Sequence, residues 1–305
     1  MQWRSYLPDR RRQICENRAI WLALCAGQPW QVPQHDLDAC ATPADARGLH
    51  REMVVALRAL ETAEAHGVSF ELEQLIELIT AFPRVVGLQR AALAASLPLL
   101  SSQPTRKRAQ ASPLASLIVA AMRTFPDDVG LVLAALHTLV LLARPLDGAE
   151  GMVFLQRRME PPRALDALLG EHGGVAMLLA AMSTHCAVAD VQAMACWALV
   201  NVMLNPAQKA LAGARGGLAA VLAAMRAHPD DLEVQYRSLF ALINLLVPDG
   251  APPRPAYDEV IPYVLGAMKN FERHEALVNR GCLVLHNLAL SEVRRSAPAV
   301  SIAVG

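Results

Sequence analysis

Asn201, Asn244 and Asn287 stand at intervals of 43 residues, and near them fall Trp197, Arg237, Phe240 and Arg280. An amide offers a donor and an acceptor together, and a guanidinium is a planar fork of donors for carboxylate or phosphate. A rigid ring supplies contact area at small entropic cost. That chemistry recognises; it does not catalyse. Groups that would support catalysis are dispersed: no G-x-S-x-G, Walker or G-x-G-x-x-G loop occurs, and His50, Glu52, Glu171 and His172 stand isolated. The expectation is a non-enzymatic protein with no cofactor and no metal site.

The elements that must hold these side chains repeat with them. DVQAMACWALVNVML, from Asp190, is followed 43 residues on by EVQYRSLFALINLLV, ending at Val247, and again by ALVNRGCLVLHNLAL, ending at Leu290. Met182, Met225 and Met268 form a second column. A fixed period of this length with a helical apolar pattern is the signature of stacked helices. Helical spacing puts Asp190, Met194, Trp197 and Asn201 on one face of the first of these helices. Glu233, Arg237, Phe240 and Asn244 share a face of the second, and Ala276, Arg280, Leu283 and Asn287 a face of the third.

Punctuation recurs as well. Phe82–Pro83, Phe125–Pro126 and His228–Pro229 predict helix ends, because proline cannot continue the preceding turn. Asp127 and Asp230 then put negative charge at the start of the next helix. Gly173–Gly174 and Gly216–Gly217 predict sharp turns that need positive φ.

Composition agrees with an all-α chain. It is 54% hydrophobic, mostly Ala and Leu, and only 5% aromatic, which favours helix over strand. Lys plus Arg and Asp plus Glu balance at 28 each, against the basic excess expected of a nucleic-acid binder. The short runs Arg10–Arg11–Arg12 and Arg106–Lys107–Arg108 are expected to be solvated loops or helix ends. The six cysteines show no C-x-x-C spacing, so a reduced, cytoplasmic protein is expected. The apolar run from Val129 to Ala143 suits a core helix and is short for a membrane span.

Along the chain, residues 1–41 read as a helical cap or lead-in, and repeats are expected over 42–305. A first, degenerate unit starts near Thr42. The spacing from Met122 to Met182 exceeds the period by 17 residues, which places an insert near 144–160. SEVRR, from Ser291, stands where a further unit would begin, so the last repeat is expected to be incomplete.

The segment from Asn205, NPAQKALAGARGGLAAVLAAMRAHPDDLEVQYRSLFALINLL, resembles an armadillo repeat. The family pattern is a short helix after Asn-Pro, a Gly-Gly turn, a second helix, and a long third helix ending in A-L-x-N-L. DVQAMACWALVNVM carries the related W-A-L-x-N form through Trp197 and Asn201. The likeness is strongest over Glu171 to Leu290 and extends back to Leu75; HEAT-type repeats are the near neighbour. The resemblance implies a right-handed α-solenoid of about five to six repeats. It further implies a concave groove, lined by the third helices, that holds an extended peptide of a partner. Trp197, Asn201, Arg237, Phe240, Asn244, Arg280 and Asn287 would line it, the amides bonding peptide backbone and the aromatics sandwiching side chains. Unlike the nuclear-import members, the chain offers Asp190 and Glu233 beside Arg237 and Arg280, which favours an acidic or phosphorylated segment over a basic one. Protein partners are expected, not nucleic acid or a membrane.

Two other readings compete. The asparagines would then bond neighbouring helix ends, Trp197 and Phe240 would be core, and the partner would meet the outer face or the insert. Alternatively, His274–Glu275 resembles the His-Glu pairs of a helical-repeat iron hydroxylase. Its period mates are Asp231–Leu232, Val188–Ala189 and Asp128–Val129, and one pair does not build such a site.

Overall fold

The computed structural model describes residues 70–143, 173–246 and 259–296, with side chains up to 290. The expected cap over 1–41, the unit from Thr42, the insert near 144–160 and the end of the chain past 296 lie outside the described residues. So do Glu171 and His172. The described residues form twelve α-helices and no strand, so the all-α expectation holds. They fall in two compact units, Met1–Gln156 and Arg157–Gly305, divided within the expected insert.

In the first unit the helices are α1 (Leu72–Ala81), α2 (Val86–Leu100), α3 (Gln103–Gln110), α4 (Leu114–Thr124) and α5 (Val129–Leu142). α1 packs on α2, α4 on α5, and α2 lies along α5. α5 is the apolar run from Val129; it buries Leu131, Val132, Ala135, Leu136 and Leu142, as a helix apolar on most sides must. Arg106, of the basic run, is buried, and its Nη1 donates to Leu100 O at 3.2 Å and Ser101 O at 2.9 Å. It closes the C-terminus of α2, where carbonyls lack helical partners.

The second unit holds α6 (Gly174–Thr184), α7 (Ala189–Val202), α8 (Pro206–Ala214), α9 (Gly217–Ala227), α10 (Leu232–Leu246), α11 (Val260–Asn270) and α12 (Glu275–Ser296). α7, α10 and α12 carry the recurring sequences. α10 packs against both α7 and α12, while α6, α9 and α11 each back their own long helix. Among the described residues no single helix is long and apolar enough to cross a membrane.

The helix ends follow the punctuation, with one shift. Phe82, Phe125 and His228 end their helices with ψ near 60° before the proline, a position the following ring bars from helix. The caps, however, are Asp128 and Asp231, one residue beyond the expected Asp127 and Asp230. Asp128 Oδ1 accepts from Leu131 N at 2.7 Å and Asp231 Oδ1 from Val234 N at 2.9 Å. Asn205 caps α8 before Pro206, accepting from Ala207 N at 2.8 Å and Gln208 N at 3.2 Å.

Both glycine pairs need a positive φ at their first residue, and Gly216–Gly217 has a second reason to be glycine. Gly173 and Gly216 take φ of 69° and 82°, the only positive values among the described residues. A Cβ on Gly217 would meet the Ala212 carbonyl oxygen at 2.8 Å, because α8 and α9 approach closely there. Gly216→Ala is expected to lose about 1–2 kcal/mol through its left-handed backbone. Gly217→Ala is expected to lose about 1–3 kcal/mol through overpacking. Urea unfolding checks both; a midpoint unmoved by Gly217→Ala would show that α8 gives way freely.

SEVRR, expected where a further unit would begin, lies inside a helix. It continues α12, which runs 22 residues where α7 and α10 run 14 and 15. The sequence explains this: no Gly or Pro interrupts between Cys282 and Ser296.

Candidate recognition surface

The candidate surface lies within the second unit, on α7, α10 and α12. Most of α7 is buried from Val191 to Val202, yet Trp197 is 37% exposed. On α12 Leu283 is 39% exposed. On α10 Arg237, Phe240 and Asn244 are half-buried, as are Arg280 and Asn287 on α12. The expected stripe is therefore the accessible one at these positions, and Trp197 is not core. Asn201 and Met194 are the exceptions: both are buried.

Within the stripe, arginine and aromatic residues interleave. The Arg237 guanidinium lies over the Trp197 ring, 4.3 Å from its centroid, and that of Arg280 over Phe240 at 3.9 Å. Each arginine thus stacks on the aromatic forty positions earlier, on the preceding long helix. Such stacks favour cations over ring faces and hold the guanidinium flat. Arg280 also stands 4.2 Å from the Tyr236 ring centroid and donates from Nη2 to Tyr236 Oη at 2.7 Å. The charges differ in their surroundings: Arg237 Nη2 pairs with Glu233 Oε2 at 2.7 Å. Its Nη1 rests on Met194 Sδ. Trp197 and Phe240 thus each already carry one of the chain's own arginines against the ring.

The asparagine column has a second duty. Asn244 Nδ2 donates to Val200 O at 3.2 Å, and Asn287 Nδ2 to Ile243 O at 3.3 Å. Both acceptors lie in the last turn of the preceding long helix, where carbonyls have no helical donor. The competing reading, that these amides bond neighbouring helix ends, accounts for this bond. Asn201 Nδ2 is buried without a hydrogen-bond partner among the described residues.

A second column went unread as a structural element. Gln89, Gln192 and Gln235 are buried, and each spends its amide nitrogen on two carbonyls at the end of the helix before it. Gln192 Nε2 donates to Met182 O and His185 O, both at 2.9 Å. Gln235 Nε2 donates to Met225 O at 2.8 Å and His228 O at 2.9 Å. Gln89 Nε2 reaches Ile79 O at 2.7 Å and Phe82 O at 2.8 Å. The signal was the shared V-Q of DVQ and EVQ, 43 residues apart.

His274 falls in the capping column of Asp231. Its Nδ1 accepts from Leu277 N at 3.1 Å, and its ring meets Tyr236 edge-on with centroids 5.8 Å apart. Among the described residues no three His, Cys, Asp or Glu side chains gather as a metal-binding group. Cys196 is wholly buried beneath the surface, 3.4 Å from Ser238 Oγ. Burial pushes its thiol up to about 11, against the lowering effects of the Ser238 hydroxyl and the Arg237 charge. It is an inert core thiol. Cys186 and Cys282 are free and exposed.

In comparisons with known proteins, no family model, no curated relative and no solved structure matches this chain.

Proposed function

We propose that the chain is a non-enzymatic interaction scaffold of armadillo type, a right-handed α-solenoid whose long helices α7, α10 and α12 bind an extended segment of a partner protein. The single observation that carries this reading is the row of accessible side chains at equivalent positions of the three helices, which on α7 breaks an otherwise buried run. Trp197, Phe240 and Leu283 offer apolar contact at 43-residue intervals, and two stacked arginines stand between them. Preorganised aromatic and arginine side chains in a row are what recognition sites concentrate, because little side-chain entropy remains to be lost on binding. The partner segment is acidic or phosphorylated, and the exposed free thiols Cys186 and Cys282 fit a reducing compartment such as the cytoplasm.

The test is an affinity pull-down from the source cell with wild type and a Trp197→Ala/Leu283→Ala variant. Both side chains are exposed, so the variant keeps its helical circular dichroism. Partners lost selectively from the variant support groove recognition. Identical partner sets sink it and direct attention to the outer face.

A further inference from the structure

We propose that Arg280 is an anion seat that receives one carboxylate of an acidic partner segment, and that Arg237 is not such a seat. This rests on the groove reading above and adds the place, number and chemical kind of the negative charges the groove selects.

The two arginines occupy equivalent positions but differ four residues upstream. Glu233 precedes Arg237 on the same face and pairs with it at 2.7 Å; the matching residue before Arg280 is Ala276. Arg237 is accordingly neutralised within its own helix. Among the described residues no carboxylate comes within ion-pair distance of Arg280. Its guanidinium is nevertheless fixed, stacked at 3.9 Å from Phe240 and 4.2 Å from Tyr236 and bonded to Tyr236 Oη. One donor is spent there, and the side chain remains half-exposed. A planar cation held in place with donors to spare is what bidentate carboxylate binding requires. Its ordering cost is met by the two rings before any ligand arrives. A phosphate dianion is ordinarily met by a cluster of arginines, whereas Arg280 is here the single unneutralised one in the stripe. The chemistry therefore selects Glu or Asp over a phosphorylated residue.

The test uses fluorescence anisotropy at low salt with labelled hexaglutamate, hexaglutamine and a phosphoserine peptide in a Gly-Ser background. Wild type should bind hexaglutamate in preference to the other two. Arg280→Gln and Ala276→Glu should each weaken that binding about tenfold, as loss of a charge-assisted pair does. Ala276→Glu keeps the arginine and changes only an exposed helix position, so a folding defect cannot mimic both results. Glu233→Gln, which frees Arg237, should tighten binding roughly threefold. Equal affinity for hexaglutamate and hexaglutamine overturns the seat and leaves the groove to the pull-down. Binding lost in Trp197→Ala/Leu283→Ala but unchanged in Arg280→Gln overturns the seat with the groove intact. Tighter binding of the phosphoserine peptide overturns the choice of carboxylate.

Discussion

Gln235→Leu is expected to destabilise the second unit by about 2–3 kcal/mol, read as a lower urea midpoint at unchanged slope. The substitution keeps the approximate volume and removes both donors. Gln235 is buried, and its amide bonds Met225 O and His228 O at the end of α9. The two carbonyls do not suffer equally. His228 O also accepts from Asp231 N at 3.3 Å, so it keeps a partner. Met225 O lies in the last turn of α9, where no helical donor follows, and would be orphaned inside the core. An unsatisfied buried carbonyl costs about 1–3 kcal/mol, and the second lost bond adds about 1. Position 132 controls for packing: Val132 stands one period after Gln89 and is fully buried, so the column accepts an aliphatic side chain sterically. A midpoint shift worth less than about 0.5 kcal/mol, the range of an innocuous surface change, would mean that these bonds do not hold α9 to α10.

The glutamines also mark the boundary of what the sequence made legible. Local chemistry could be read directly: proline after Phe82, Phe125 and His228 ended helices there, and Gly216 took positive φ, because both effects act within one or two residues. The stripe was legible in part: helical spacing fixes which side chains share a face, but not that Met194 and Asn201 on that face are buried while Trp197 is exposed. What failed was the assignment of partners. Gln192 and Gln235 are polar residues in apolar helices; nothing in spacing names the carbonyls seven and ten residues back that they bond. For Asn244 both a ligand and a neighbouring helix end were open, and spacing does not single out Val200 O on the preceding long helix, which its amide reaches. Asp230 was expected to place charge at the start of the helix, but the side chain that caps it is Asp231, because the residue directly before the helix has the geometry to reach Val234 N. Partner choice depends on how one helix lies on the next, and a single period does not encode it.

The same limit governs the second prediction: Leu222→Ala is expected to cost about 2–4 kcal/mol, and Leu265→Ala less than about 0.5. The two leucines are period mates within V-L-A-A-M and V-L-G-A-M, and by pattern alone they deserve the same role. Their surroundings differ. Leu222 on α9 is 7% exposed, and α9 packs against both α10 and α11. Leu265 on α11 is 51% exposed, and its neighbour Ile261 is exposed where Leu218, its own mate, is buried. Truncating a packed leucine loses transfer free energy and leaves a cavity, whereas truncating one already in water loses little of either. Urea midpoints of the two variants, taken side by side, measure the difference. Equal losses would show that another element covers α11. Repeating the pair over a range of protein concentrations then identifies it: a loss that grows with concentration belongs to a second copy, and a constant one to the chain itself.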